Sequence, residues 1–477
     1  MDNSLYEQAR QARDPRFDGC FFVGVKTTGI YCRPVCSVKI PLIKNVTLYP
    51  CAAAATEAGF RPCLRCRPES APGTPPWLGN GTAIGRALKL IAEGALDDAG
   101  VDALSDRLGV GPRHLSRLFR QHLGVSPVAV AQTRRLHFAK TLIDQTQLSI
   151  SAIALSSGYR SVRRCNDHFK RVYQGSPSSL RKPGNHRQPS SGFQLYLSYR
   201  PPFDFVGILA FLQLRAIPEV EQVTADSYSR TVRIGDEVGY LCVADEADKH
   251  RLSVRVELAQ TAQLQGVLER VKRLFDVTAD PLEILKCFDQ DAEIATIAAQ
   301  NPGQRVPGGW DPFEIAVRAI VGQQVSVKGA TTVMGRIARA YGSESARGLC
   351  FPTAQQLSQL VPSTMSMPIK RAQAIKDLST EVATGRLSLD AAGDSGALIE
   401  QLISLKGIGP WTAQYIAMRA LNDPDAFLAG DLVLQKVARA RLNIDGEKAL
   451  LERSWRWSPW RAYAGMHLWR QAAGLKP

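Results

Sequence analysis

Apolar positions along this chain change their period three times. The run Cys20-Phe-Phe-Val-Gly-Val25 reads as strand. From about residue 80 to 182 apolar residues recur every three or four positions, which predicts helix throughout. Alternation returns in Phe193–Tyr199, Val232–Ile234, Gly239–Val243 and Leu252–Leu258, which predicts four strands followed by helices from about Ala262. The helical period then resumes in Pro312–Tyr341, Ser366–Thr384, Ser395–Leu405, Trp411–Ala420 and Asp431–Arg441.

Breaker-rich stretches fall between these blocks. They are Ala71–Pro76, Lys182–Gly192 and, less sharply, Asn301–Gly309. They predict four domains, at 1–72, 78–184, 192–301 and 302–477. The expected class is multidomain α+β: a small metal-stapled domain, an all-α domain, an antiparallel α/β domain and a second all-α domain. No stretch approaches the ~20 apolar residues that span a membrane. The opening residues are polar, unlike a secretion signal. The expected place is therefore the cytoplasm.

Charge separates the halves. Residues 1–190 hold 27 Lys and Arg against 13 Asp and Glu, and the remainder is nearly balanced, within a formal net charge of +15. A basic module of this kind suits phosphate, with a merely solvated basic surface as the alternative.

Six of the ten cysteines lie in residues 20–66. Cys32-x-x-x-Cys36 and Cys63-x-x-Cys66 have the paired spacing of a tetrahedral thiolate Zn2+ site, against four free buried thiols as the alternative. Cys20 and Cys51 have no partner pattern and read as packing residues. Lys26, Arg33, Lys39, Lys44, Arg61, Arg65 and Arg67 crowd the same region. A metal-held thiolate beside phosphate can act as a nucleophile. The strings Thr27–Cys36 and Gly59–Pro68 resemble the N-terminal domain of the Ada alkylation-response proteins over residues 5–70. That resemblance implies that Cys32 accepts a methyl group from a DNA phosphotriester, and that loss of one thiolate charge tightens DNA binding. Arg33, Lys39 and Arg61 then become candidate phosphate contacts. Lys39 departs from the expected arginine, offering a point charge in place of a fork. A purely structural zinc site is the bland alternative.

Val101–Val110 is a helix ending in a glycine turn, and Pro112–His122 follows with proline suited to a helix start. Leu115, Leu118 and Phe119 form the inner face; Arg113, His114, Ser116, Arg117 and Arg120 face outward. The pattern repeats in Ser149–Gly158 and Ser161–Arg171, and matches helix-turn-helix geometry, against a plain bundle with solvated arginines. It resembles the AraC-type regulator domain over residues 80–182. That implies base reading from outward residues of 112–120 and 161–168, with Arg113 and Arg117 among the contacts. Cys165 stands where an aromatic core residue is expected.

Leu405-Lys-Gly407-Ile-Gly409-Pro-Trp411 predicts a tight hairpin whose backbone can approach a phosphate at the next helix start. Asp431 follows Gly430 at another helix start, where an aspartate is ordinarily a cap. Together these resemble the helix-hairpin-helix glycosylases, most closely the AlkA type, over residues 193–477. The resemblance implies a TBP-like antiparallel α/β domain, a flipped base held by Trp411, Tyr415 and Trp469, and Asp431 as the catalytic carboxylate. It implies no cofactor for the glycosylase chemistry. A cationic alkylated base would stack on these rings, so that charge is read instead of shape. Gly407 and Gly409 would grip the DNA backbone. Gln324, in Ile320–Ser326, occupies the loop that fills the gap left by the flipped base, where an apolar wedge is expected. The lyase lysine of bifunctional relatives is replaced by Trp411, which implies hydrolysis without a Schiff base. Trp457 and Trp460 read as core. No Pro-Cys-His-Arg string occurs, so the O6-methylguanine methyltransferase domain that the resemblance to full-length Ada proteins would imply is expected to be missing.

The whole reads as a damage sensor, regulator and repair glycosylase in one chain. Its expected partners are alkylated and promoter DNA and RNA polymerase, with no membrane, and it is expected to be a monomer. Two alternatives stand. One is a regulator whose inactive glycosylase fold clamps DNA. The other is a glycosylase merely tethered by its N-terminal half.

Overall fold

The structure is a computed structural model that describes residues 3–72, 83–181, 192–389 and 394–472. Both Pro/Gly breaks flanking the all-α region lie mostly outside these residues: from 73 onward in the first, and all but Gly192 in the second.

The first module carries a four-stranded sheet of β1 (Phe22–Val25), β2 (Ile30–Cys32), β3 (Val46–Tyr49) and β4 (Arg61–Pro62), ordered β3-β1-β2-β4. Tyr6 of the first helix stacks on Phe21 at 4.5 Å, closing one side of a small core. β2 and β4 run parallel, with Tyr31 beside Pro62. That register brings the end of β2 and the start of the following turn together, so Cys32 and Cys63 become neighbours although 31 positions separate them.

Helices Val101–Leu108 and Pro112–Leu123 form the first helix-turn-helix, and Ile150–Ser156 and Val162–Tyr173 the second. Gly109 ends the first helix at φ +68°, a conformation glycine adopts without penalty. Helix Pro127–Gln145 serves both halves. Ser126, Ser149 and Ser161 each cap a helix by accepting from a backbone N–H three residues on.

The next sheet has five strands, all antiparallel: β5 (Phe193–Ser198), β6 (Glu221–Val223), β7 (Ser227–Ile234), β8 (Glu237–Glu246) and β9 (Arg251–Glu257), in order β5-β9-β8-β7-β6. Leu252, Val254 and Val256 are fully buried on one face, the period-two pattern expected of a half-buried strand. β6 is a short edge strand that the alternation did not predict.

The C-terminal helices enclose the largest apolar core, with Trp457 and Trp460 inside it. One expectation fails here. Pro312–Tyr341 is two helices, Pro312–Val321 and Val327–Tyr341. Gln324 takes φ +55° between them, and Ser326 caps the second by accepting from the Gly329 N–H. The apolar spacing continues across the break because both helices line the same core.

The modules pack on one another. A single apolar cluster runs from Leu136 through Tyr173 into the five-stranded sheet, so the break at 182–192 does not separate two cores. Cys20 of the first module donates its S–H to Asp280, 260 positions on. The Tyr31 hydroxyl and His137 Nε2 are 3.0 Å apart. Among the described residues no helix is long and apolar enough to cross a membrane.

Candidate active site and metal centre

Asp431 is the N-cap of helix Leu432–Leu442, so the cap reading is correct as far as it goes. Its Oδ1 accepts from the N–H groups of Val433 and Leu434, both at 3.0 Å. The side chain does more than cap. Trp469 donates its indole N–H to Oδ1 and Trp411 donates its own to Oδ2, each at 3.1 Å. Oδ1 thus carries three hydrogen bonds and Oδ2 one. Every partner is a donor, which fixes the carboxylate as an acceptor and leaves Oδ2 the freer oxygen.

Trp411 and Tyr415 lie one turn apart on helix Pro410–Ala420 and stack at 5.4 Å, 17° from parallel. Trp469 comes from helix Arg461–Gln471. Trp411 and Trp469 are thus brought to one carboxylate, and Tyr415 joins them through its stack on Trp411. Tyr415 is buried, and its hydroxyl accepts from Nη1 of Arg419 at 2.9 Å. Burial alone would raise its pKa, yet Arg419, Arg215 and Arg318 hold it below the usual tyrosine value.

Gly407 sits at φ +93°, where a side chain would be strained, and a Cβ there would also come within 2.9 Å of Ala374. Gly409 is the N-cap of helix Pro410–Ala420, and a Cβ on it would meet nothing within 4 Å. The hairpin therefore packs inward through Gly407 and offers an open helix N-terminus at Gly409. Gln324 is exposed in the loop beside it, and its neighbour Val325 supplies an exposed apolar side chain. Gln323 ties loop to hairpin: its amide donates to the Gly407 carbonyl at 2.9 Å and to the Thr412 hydroxyl at 3.0 Å.

The four sulfur atoms of Cys32, Cys36, Cys63 and Cys66 all lie within 4.8 Å of one another. Tetrahedral zinc with bonds of ~2.3 Å needs sulfurs about 3.8 Å apart, so this donor set fits the ion. The backbone N–H of Arg33 donates to Cys66 Sγ at 3.3 Å, the kind of outer contact that steadies a thiolate. The Arg33 side chain is not free for phosphate. Its guanidinium pairs with Asp18 and donates to the Cys66 carbonyl, bracing the cluster from inside. Lys39 and Arg61 remain exposed. Cys20 and Cys51 are buried, and burial pushes Cys20 up to about 12, so it is an inert packing thiol.

On the recognition helices Leu115 and Phe119 are fully buried, whereas Arg113, His114, Arg117 and Arg120 are exposed. Cys165 is fully buried in the second copy, so the position is a core position with a smaller occupant. Several neighbours of the site gave no local signal. Gln323 and Thr412 act across the hairpin, and Phe211 and Arg215 arrive from the preceding module. Arg419 alone was detectable, as a charge one turn past Tyr415 in an otherwise uncharged helix.

Residues 6–69 match the family described as the metal binding domain of Ada, 104–183 a helix-turn-helix domain and 194–311 the AlkA N-terminal domain. A protein of Mycobacterium tuberculosis, named probable bifunctional transcriptional activator/DNA repair enzyme AlkA, is 39% identical over 473 residues. The match covers 97% of this chain and 95% of that one. DNA-3-methyladenine glycosylase 2 of Escherichia coli is 32% identical over 283 residues, covering 57% of this chain and 95% of its own. A solved 3-methyladenine DNA-glycosylase from Archaeoglobus fulgidus superposes with a TM-score of 0.53 at 18% identity. It covers 58% of this chain and 98% of that one, a likeness of fold.

Proposed function

This chain belongs to the family of bifunctional transcriptional activator/DNA repair enzymes of the AlkA type, and we propose from that premise that Asp431 drives hydrolytic removal of alkylated bases. The protein joins a DNA glycosylase to a zinc-binding regulatory half that binds DNA. The observation that carries the role of Asp431 is its set of four donors, two of them indoles from the walls of the base pocket.

In this reading Gly407 and Gly409 hold the DNA backbone, and Gln324 enters the stack where the base has left. The base lies against Trp411 and Tyr415. As the bond from C1′ to the base lengthens, positive charge grows on the sugar, and Oδ2 of Asp431 is the oxygen left to face it. Water adds to C1′, and its proton leaves with the base or to solvent. Trp411 occupies the lyase position, so no lysine forms an imine there.

At the other end Cys32, Cys36, Cys63 and Cys66 would hold zinc, which keeps the sulfurs as thiolates. Cys32 Sγ attacks the methyl carbon of a methylated phosphate. The S–C bond forms, the O–C bond breaks, and the phosphate recovers its negative charge. Lys39, Arg61, Arg113 and Arg117 contact the duplex, and the activator role makes RNA polymerase a partner of the monomeric chain.

Release of free 3-methyladenine from alkylated duplex tests the enzyme reading. Equal background release by wild type and Asp431→Asn would leave the inactive-clamp alternative. Mass spectrometry after exposure to methylated DNA tests the sensor: absence of a methyl group on Cys32 would sink it.

A further inference from the structure

The loop that follows the first cysteine pair holds apolar side chains out in water. Within Lys39-Ile40-Pro41-Leu42-Ile43-Lys44, Leu42 is 66% exposed, Ile43 65% and Ile40 38%. Single exposed apolar residues are ordinary, but three within four positions form a tip that calls for a partner. Leu42 stands six positions past Cys36, in the module that carries the cysteine cluster.

The tip is rigidly held. Arg10 of helix Asn3–Ala12 donates to the Pro41 carbonyl at 3.0 Å, and Arg13, just past that helix, donates to the Val38 carbonyl at 2.9 Å. The Asn45 N–H closes a turn on the Leu42 carbonyl at 2.9 Å. The Asn45 carbonyl in turn accepts from the Lys26 N–H at 2.9 Å. These bonds fix the backbone on both sides and leave the side chains of Leu42 and Ile43 outside. The cost of ordering the loop is met when the module folds, not when it binds.

Charge says what the tip meets. Lys26, Lys39 and Lys44 are all exposed, and the bond from Lys26 to Asn45 sets Lys26 beside the base of the tip. No Asp or Glu occurs between Asp18 and Glu57. A second copy meeting tip to tip would set lysine against lysine. A duplex satisfies both features: phosphates take the lysines, and base faces take the apolar tip. The minor groove, ~6 Å wide, admits single side chains, whereas the major groove takes a helix. Helices Pro112–Leu123 and Val162–Tyr173 are of the second kind, so the tip does not compete with them.

We propose that Leu42 and Ile43 form a wedge that enters the minor groove beside the phosphate met by Cys32, parts one base step and bends the duplex there. This rests on the reading of Cys32 as the methyl acceptor. Pyrimidine–purine steps part most easily, so the wedge gives the sensor a preference for damage next to such steps without a contact to any base edge.

The test uses the full chain loaded with zinc and a duplex with one methylphosphotriester. The duplex carries 2-aminopurine at the adjacent step, which brightens on unstacking, and a pair of energy-transfer dyes at its ends. Saturating wild type is expected to raise the 2-aminopurine signal by about threefold or more and to bring the ends closer. Leu42→Ser with Ile43→Ser keeps every lysine; it is expected to lose both signals and to bind about tenfold more weakly at equal salt. Leu42→Met with Ile43→Met is expected to restore them. Zinc content and thermal unfolding are measured on each variant, and mass spectrometry locates the methyl group. With the methyl on Cys32, a base step that stays stacked under wild type, or an equal rise with the serine variant, overturns the wedge and leaves the sensor reading intact. Loss of zinc or of stability in the serine variant overturns it too, by making the tip part of the core. Self-association that the serine variant abolishes, with no rise in fluorescence, assigns the tip to a second copy instead. Absence of a methyl group on Cys32 removes the sensor reading, and the proposal with it.

Discussion

The indole nitrogen of Trp469 lies 3.1 Å from Oδ1 of Asp431, on the same oxygen that caps helix Leu432–Leu442. One oxygen therefore serves the fold, and among the described residues the other accepts from Trp411. Substitutions can separate these duties. Asp431→Asn is expected to reduce base release to background with little loss of stability, because asparagine caps as well as aspartate. Asp431→Ala is expected to lose the same activity and ~1 kcal/mol of stability in denaturant. Trp469→Phe keeps a ring and loses the donor; release is expected to slow by about tenfold.

The cysteine cluster and the carboxylate sit in separate modules. Chelation, or Cys36→Ser, is expected to abolish methyl uptake on Cys32 while base release from duplex DNA stays within about a factor of two. Zinc content by atomic absorption and release assays on one sample check this. Acid is expected to strip the metal, because thiolates must be deprotonated to bind it.

Burial lowers His137 to about 4, with His168 and Lys140 acting in the same direction. An unfolded histidine titrates near ~6.5, so between those values the unfolded chain binds more protons. The stability held by the neutral ring is thus complete above ~6.5 and is lost as pH falls toward about 4. His168 and His467 are also lowered to about 4, with the same sign. His137→Gln is expected to flatten the decline by at most about 1.4 kcal/mol per pH unit, read from urea unfolding midpoints across that range.

Arg230 and Glu314 form a buried pair between β7 and helix Pro312–Val321, with Nη2 and Oε2 2.6 Å apart. Burial raises Glu314 and Arg230 lowers it, so the glutamate depends on its partner for its charge. Arg230→Met is expected to destabilise by ~3–5 kcal/mol, and adding Glu314→Leu to recover most of that. A double-mutant cycle in denaturant measures the difference.

What could be read from the chain was local. The strings around Cys32, Gly407 and Asp431 each place a turn or a cap within a few residues, and they are found as expected. The spacing Cys32-x-x-x-Cys36 and Cys63-x-x-Cys66 leads directly to one cluster because β2 and β4 run side by side. Properties that depend on a partner far along the chain were hidden. Arg33 looked like a phosphate contact until Asp18 claimed it. Phe211 and Arg215 reach Arg419 and Tyr415 from another module, which no periodicity records. The apolar period alone ran through the break at Gln324, because both helices line one core; only the resemblance had set a loop at Ile320–Ser326.

The bridge from Gln323 to Gly407 and Thr412 gives the loop at 322–326 an unusual constraint. Surface loops ordinarily tolerate changes of length. Here one added residue would rotate Gln323 away from two bonding partners while Ser326 still began the next helix. Length in this segment is therefore tied to the hairpin 84 positions downstream.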